Sequence, residues 1–301
     1  MRWLALGEAI FVVALWSTSP PLVKIALGYL SPLQLAGVRY FGAFLILLPL
    51  LLWRSMNVLR GLTRSAWLRL ALMGFLAFPV GNGLLFWGLE TLPATTSSFL
   101  LTSIPIFTLV IGILWLKERP NWIQGIGFLL AITGGLIFFG MRIEASDGLA
   151  VLATVLGSLS LSVFGSMARD FVRKGEVNST VLAAIPMCIG GGMLLIIAPV
   201  TQVPPMPALG ILVILAIVNS ALAFMIWNHA LQSLQAFEIS IVGNLMPIGT
   251  ALVAPLLLGE VISGRAWLGM AVALAGVILV GIAGDRKSHA ADGCVESVVS
   301  E

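Results

Sequence analysis

Apolar residues run along this chain in long blocks separated by short polar interruptions, without the two-residue alternation of half-buried strands. Breaks in hydrophobicity mark ten blocks: 3–24, 32–53, 66–89, 92–116, 121–140, 147–168, 178–200, 207–232, 235–258 and 263–283. Each is close to the ~20 residues that a helix needs to cross the hydrocarbon core of a bilayer. Barrel strands would be about half that length and would alternate. The pattern predicts an all-α integral membrane protein of ten transmembrane helices, numbered here as spans 1 to 10, with short loops and a polar tail over 285–301.

Composition supports this. Only 10% of the residues are charged and 59% are hydrophobic, whereas a soluble domain carries about 25% charged residues. Arg2 before an apolar run could open a signal peptide, but no small-residue cleavage site follows and further spans do, so span 1 reads as a retained helix. Cys188, in an apolar block, and Cys294, in the tail, imply no disulfide framework. Cytoplasmic loops collect Lys and Arg. With the N-terminus inside, the inner segments hold Arg2, Arg54, Arg60, Arg64, Arg69, Lys117, Arg119, Arg169, Arg173, Lys174, Arg286 and Lys287, and the outer ones hold only Lys24, Arg142 and Arg265. Twelve against three predicts that both termini are cytoplasmic, in a multi-pass protein of the cell (inner) membrane. No stripe suited to nucleic acid is present.

The chain is also duplicated. Shifted by 142 residues, "TLPATTSSFLLTSIPIFTLVIGILWLKE" from Thr91 falls on "SLQAFEISIVGNLMPIGTALVAPLLLGE" from Ser233. Pro105 meets Pro247, Glu118 meets Glu260, Gly127 meets Gly269 and Gly134 meets Gly276. This divides the chain into a first half over 1–142 and a second over 143–284, each of five spans. An odd number of spans inserts the second half upside down relative to the first. Inverted repeats of this kind mark secondary transporters, whose site lies at the repeat interface where helices break at matching positions. Pro105 and Pro247 are such positions and read as hinges or gates; the plainer reading is a packing kink, which membrane helices tolerate.

The sequence resembles the EamA family of the drug/metabolite transporter superfamily over nearly its whole length. The resemblance rests on "LWSTSPPLVKIAL" in span 1 and "SPLQLAGVRYFGAFLILLPLLL" in span 2. It rests also on "LWLKERPNWIQGIGFLLAITGGLIFFG" and "LLLGEVISGRAWLGMAVALAGVILVG", which end the two halves. It implies a ten-helix inverted-repeat carrier. Many members move amino acids, other small metabolites or drugs, often outward, and exporters of the YddG aromatic amino-acid type are among them. The tryptophan expected near the middle of span 6 stands here as Leu161.

Polar residues within the spans are the candidate site. Span 1 carries Trp16, Ser17, Thr18 and Ser19, followed by Pro20 and Pro21, which remove two backbone donors. Freed carbonyls beside hydroxyls suit the wall of a solute cavity with a flexible outer gate. The alternative is a frayed helix end with an aromatic anchor and a snorkelling Lys24. Arg39 lies about 12 Å into span 2, where an unpaired charge costs at least ~2.5–3.5 kcal/mol. Its partner is either a solute carboxylate or a structural tie to backbone carbonyls or to a carboxylate such as Glu8; its counterparts in carriers of unrelated solutes favour the tie. Glu8 can snorkel or take a proton during a cycle.

In span 8, Trp227, Asn228 and His229 are consecutive and point about 100° apart, so at most two can line one cavity. Histidine titrates near neutrality, which makes His229 a proton-coupling candidate, although a lone histidine near a helix end is more often a hydrogen-bonded interface residue. Asn82, Trp87 and Asn244 are further wall candidates. Ser98 and Thr102 share a face of span 4, as ordinary helix contacts also do. Gly127, Ala131 and Gly135 recur every fourth residue, and Gly269 and Ala273 repeat the spacing, as close packing of spans 5 and 10 requires.

An intramembrane enzyme would need a convergent set of acids, a Ser/His pair or metal ligands. A primary pump would need a nucleotide motif. Neither pattern occurs, so no cofactor or metal is expected. The expectation is a secondary carrier working by alternating access as a monomer or homodimer, with a small-molecule substrate and the lipid bilayer as its partners. The favoured cargo is apolar or aromatic amino acids or similar metabolites. A multidrug exporter of hydrophobic cations is the alternative, and a receptor or channel a more distant one.

Overall fold

A computed structural model of the protein describes residues 2–115, 122–139, 147–230, 234 and 242–279. Lys117, Glu118, Arg119, Arg142, Arg286, Lys287, Cys294, the start of span 9 and the polar tail lie outside the described residues.

Every regular element among the described residues is helical. Seven helices are long and apolar enough to cross a membrane: Trp3–Ala26, Pro32–Arg54, Arg64–Thr91, Ala94–Ile111, Gly148–Phe171, Ser179–Ile197 and Met206–Ala230. They occupy the predicted spans 1 to 4 and 6 to 8. Three shorter apolar helices, Gly125–Phe138, Met246–Leu258 and Gly264–Leu279, fall in spans 5, 9 and 10. Exposed tryptophans, including Trp3, Trp53 and Trp122, sit toward helix ends, as side chains that favour the lipid–water boundary do.

Contacts near the helix ends sort those ends into two groups that match the predicted alternation. At one end Ser55 and Asn178 share hydrogen bonds, Arg69 pairs with Asp170 at 3.0 Å and with Glu176, and Glu8 meets His229. At the other end Gln34 reaches Pro199 O, Lys24 donates to Leu89 O at 3.3 Å and to Leu92 O, and Glu260 reaches Ala94 and Thr95.

Three kinds of local irregularity matter. Span 1 does not fray at Pro20 and Pro21, as one reading expected: the helix Arg2–Ala26 runs through both. Pro21 cannot donate to the carbonyl four residues back, and that carbonyl, Ser17 O, instead accepts the Thr250 hydroxyl at 3.1 Å. Span 4 breaks as its proline predicts. Ala94–Leu100 ends in a turn at Leu101 and Thr102, and Ser103–Trp115 starts with Pro105 in its first turn, where no intrahelical donor is required. The matching place in span 9 is a turn at Asn244 and Leu245 before Met246–Leu258, with Pro247 in the first turn. Spans 3 and 8 each contain a π-helical turn, Leu76–Asn82 and Ile217–Leu222. Shifted by the 142-residue repeat, the first covers most of the second.

Spans 5 and 10 meet backbone to backbone. A Cβ added at Gly134 would lie 2.6 Å from Gly269 O, one at Gly269 would lie 2.7 Å from Gly134 O, and one at Gly276 would lie 2.5 Å from Ala131 N. Under the repeat, Gly127, Ala131 and Gly134 map onto Gly269, Ala273 and Gly276, so these contacts are reciprocal. Gly135, read from sequence as part of the stripe, has open space around it. The reason is helical period: at 3.6 residues per turn, a step of seven returns within ~20° of the starting face, whereas a step of eight overshoots by ~80°.

Candidate functional site

The polar residues of span 1 converge on the π turn of span 8. Within that turn the Ala223 amide bonds Val218 O and Ser220 O, passing over the carbonyl between them. That carbonyl, Asn219 O, accepts from Trp16 Nε1 at 3.1 Å and from Arg39 Nη2 at 3.3 Å. Arg39 also donates through Nε to Ser220 Oγ at 2.8 Å and through Nη1 to Ser19 Oγ at 2.7 Å. The Tyr40 and Phe86 rings flank the guanidinium at 5.0 and 5.7 Å. The side chain is buried, 3% exposed. The structural tie expected for Arg39 is present in form, through a backbone carbonyl and two hydroxyls. Its proposed carboxylate, Glu8, goes elsewhere: Glu8 Oε2 meets His229 Nδ1 at 2.8 Å, where His229 is 61% exposed.

Asn219 knits the same place together. Its Nδ2 donates to Leu15 O at 2.6 Å and to Thr18 Oγ1 at 3.0 Å, and Thr18 Oγ1 itself donates to Leu15 O at 2.7 Å. Trp16 packs against Phe224 and Trp227, with ring centroids 5.4 and 4.9 Å apart, giving the cluster an aromatic wall. Beside it, hydroxyls link spans 4, 9 and 1: Ser98 donates to Thr250 Oγ1 at 3.0 Å, Thr250 to Ser17 O, and Ser17 to Val13 O at 2.8 Å and Met246 O at 3.3 Å. The mate of Thr250 across the repeat, Thr108, pairs with Ser162 at 2.9 Å.

The other candidates are dispersed. Asn82 closes the π turn of span 3, donating to Ala77 O at 2.7 Å and accepting from the Tyr40 hydroxyl at 2.6 Å. Trp87 is 44% exposed, on the surface of span 3. Thr102 caps Phe99 O within the broken turn of span 4. Of the span 8 triplet, only Trp227 faces Trp16. Asn228 reaches Ser179 on span 7, and His229 reaches Glu8. Asn244 is buried in the turn before Met246–Leu258. Lys24 binds carbonyls at the end of span 3. Sequence reasoning missed Asn219, Ser220, Tyr40 and Thr250. The available signal was "NS" in the middle of span 8, whose mean hydropathy is 2.6, because polar groups so placed are costly and mark functional positions.

Glu260, in the loop between spans 9 and 10, caps the start of span 4. It accepts from Ala94 N at 2.6 Å, Thr95 N at 3.1 Å and Thr95 Oγ1 at 2.8 Å. This carboxylate satisfies helix-terminal amides that would otherwise lack partners.

Broken helices at repeat-related positions, with polar groups and freed carbonyls between them, define a helical membrane transport protein. The model of the EamA-like transporter family matches residues 3–140 and 148–282. The chain belongs to that family; it is a membrane transporter of small molecules. It is 27% identical over 277 residues to an S-adenosylmethionine/S-adenosylhomocysteine transporter of Chlamydia trachomatis, covering 84% of this chain and 82% of the relative. It is 24% identical over 282 residues to a "probable terminal-alkyne amino-acid exporter" of Streptantibioticus cattleyicolor, covering 92% and 93%. A crystal structure 18% identical in sequence shares the fold, with a TM-score of 0.67 over 93% of this chain and 98% of that one.

Proposed function

We propose that the protein exports amino acids with apolar or aromatic side chains, or similar small metabolites, by alternating access between the halves 1–142 and 143–284. The observation that carries this reading is the Trp16–Arg39–Asn219 cluster. It sets hydrogen-bonding groups against an aromatic wall, which suits a solute with polar ends and an apolar body. Both relatives' solute names contain an amino acid. Among the described residues the cluster holds a buried guanidinium and no carboxylate, the reverse of what a hydrophobic cation needs. Solute binding would bias inward- and outward-open populations by its differential affinity.

The test is transport in proteoliposomes across a panel of amino acids, with and without a pH gradient. Wild-type protein should release or exchange apolar and aromatic amino acids without ATP. Trp16→Ala, Ser17→Val and Asn244→Leu should each lower the rate while the protein stays folded. A carrier that moved only bulky hydrophobic cations would be the drug exporter instead. Dependence of transport on the imposed gradient, abolished by Glu8→Gln, would tie proton coupling to the Glu8–His229 pair.

The cytoplasmic placement of both termini, resting on the basic-residue bias, predicts a labelling pattern in a background lacking the native cysteines. Cysteines placed at Ser65 and Gly175 should react only with permeant thiol reagents in intact cells. One at Pro204 should react with an impermeant reagent from outside. The opposite pattern would invert the protein in the membrane.

A further inference from the structure

Among the described residues, two buried groups in the cluster lack a partner of the right kind. Arg39 is one. Among the described residues its acceptors are all neutral: two hydroxyls and a carbonyl. Four of the acids serve other groups, with Glu8 on His229, Glu260 on span 4, and Asp170 and Glu176 on Arg69. A buried cation held by neutral ligands alone keeps an uncompensated charge. Asn219 is the other. It is 1% exposed, and its Oδ1 is buried without a hydrogen-bond donor among the described residues. Exchanging the amide's oxygen and nitrogen does not cure this, because Nδ2 faces Leu15 O, which can only accept. An unpaired buried acceptor costs about 1–3 kcal/mol, and one kept beside a π turn, a feature frequent at functional sites, calls for an occupant.

The two needs constrain the occupant together, because Arg39 also bonds the main-chain carbonyl of Asn219. A water would satisfy Oδ1 and leave the charge. A lone ammonium would meet Oδ1 next to a guanidinium, in surroundings where like charges repel strongly. A lone carboxylate would neutralise Arg39 and leave Oδ1 empty. A solute with carboxylate and ammonium on one carbon meets both. We infer that Arg39 and Asn219 form the head-group site for an α-amino-acid zwitterion. The carboxylate replaces the Ser19 and Ser220 hydroxyls on the guanidinium, and Asn219 Oδ1 accepts from the ammonium. The solute side chain lies along Trp16, Phe224 and Trp227. This assignment rests on the amino-acid reading above and adds the atoms that select for it.

The experiment is counterflow of labelled L-phenylalanine in proteoliposomes, with phenethylamine and 3-phenylpropionate, its two half-molecules, as competitors. For wild-type protein each half-molecule should compete at least ~10-fold more weakly than L-phenylalanine, the scale of one lost charged hydrogen bond. In Asn219→Leu the affinity for L-phenylalanine should drop by a similar factor beyond any drop for 3-phenylpropionate, since the bonds to Leu15 O and Thr18 Oγ1 are lost for every solute whereas the ammonium contact matters only to the first. In Asn219→Asp a charged oxygen stands where Oδ1 accepts from the ammonium, and preference should swing toward phenethylamine. Half-molecules that compete with wild-type as well as phenylalanine does would overturn the head-group site and leave the amino-acid carrier intact. Variants that lose every solute in parallel would make Asn219 a structural residue only. Wild-type protein that moves no amino acid would remove both readings, and the wild-type competition order decides the matter even if neither variant folds.

Discussion

Leucine at Gly134 should cut the yield of folded, monodisperse protein at least ~10-fold, because overpacking a tight contact costs about 1–3 kcal/mol or more. Leucine at Gly135 should leave yield near wild-type. At position 134 a Cβ already lands 2.6 Å from Gly269 O, and the rest of the side chain has nowhere to go but between two backbones. At position 135 there is open space. The two substitutions share chemistry, propensity cost and depth, so any difference between them reports the seam between spans 5 and 10. Size-exclusion profiles after solubilisation give the measurement. Equal yields would mean that the two helices separate readily and that the glycines are not there for contact.

Removing the Glu260 carboxylate should have the second large effect. Glu260→Ala deprives Ala94 N, Thr95 N and the Thr95 hydroxyl of their acceptor at once. Hydrogen bonds to a charged group contribute about 1.5–3 kcal/mol each where shielded from water. This side chain is only part-buried, so a total on the order of 2–4 kcal/mol is expected, comparable to losing a strong helix cap with its neighbours. The thermal midpoint in detergent should fall by several degrees and transport should fall with it. Glu260→Gln should lose less, since its amide oxygen still accepts. A midpoint unchanged in the alanine variant would show that water replaces the carboxylate at no cost.

How far the sequence could be read depends on which force sets each feature. Block lengths follow from bilayer thickness, so the helices fall in the predicted spans. Proline removes a donor wherever it sits, so the breaks at Pro105 and Pro247 were legible. At Pro20 and Pro21 the same logic offered a flexible outer gate or, alternatively, a frayed end. What it could not supply was Thr250, 229 residues beyond Pro21, whose hydroxyl fills the vacated carbonyl. Gly135 was misplaced because a four-residue spacing was extended twice without its angular drift. The π turns shared no residue signature, with Pro79 in the first alone: they arise where the hydrogen-bond register slips, which tertiary packing decides. The freed Asn219 carbonyl was hidden for that reason, while the conspicuous neighbours Asn228 and His229 proved to hold spans 7 and 1.

The slipped register in span 8 also separates two jobs that share one residue number. The acceptor that anchors Trp16 and Arg39 is the main-chain oxygen of residue 219, whereas the acceptor without a donor among the described residues is that residue's side-chain oxygen. Alanine scanning removes only the second, so a mild phenotype at this position would understate what the position does. Under the proposed head-group site, the side chain could change with the cargo, giving up its bonds to Leu15 O and Thr18 Oγ1, while the arginine keeps its anchor, because any amino acid but one that distorts the turn brings the same carbonyl.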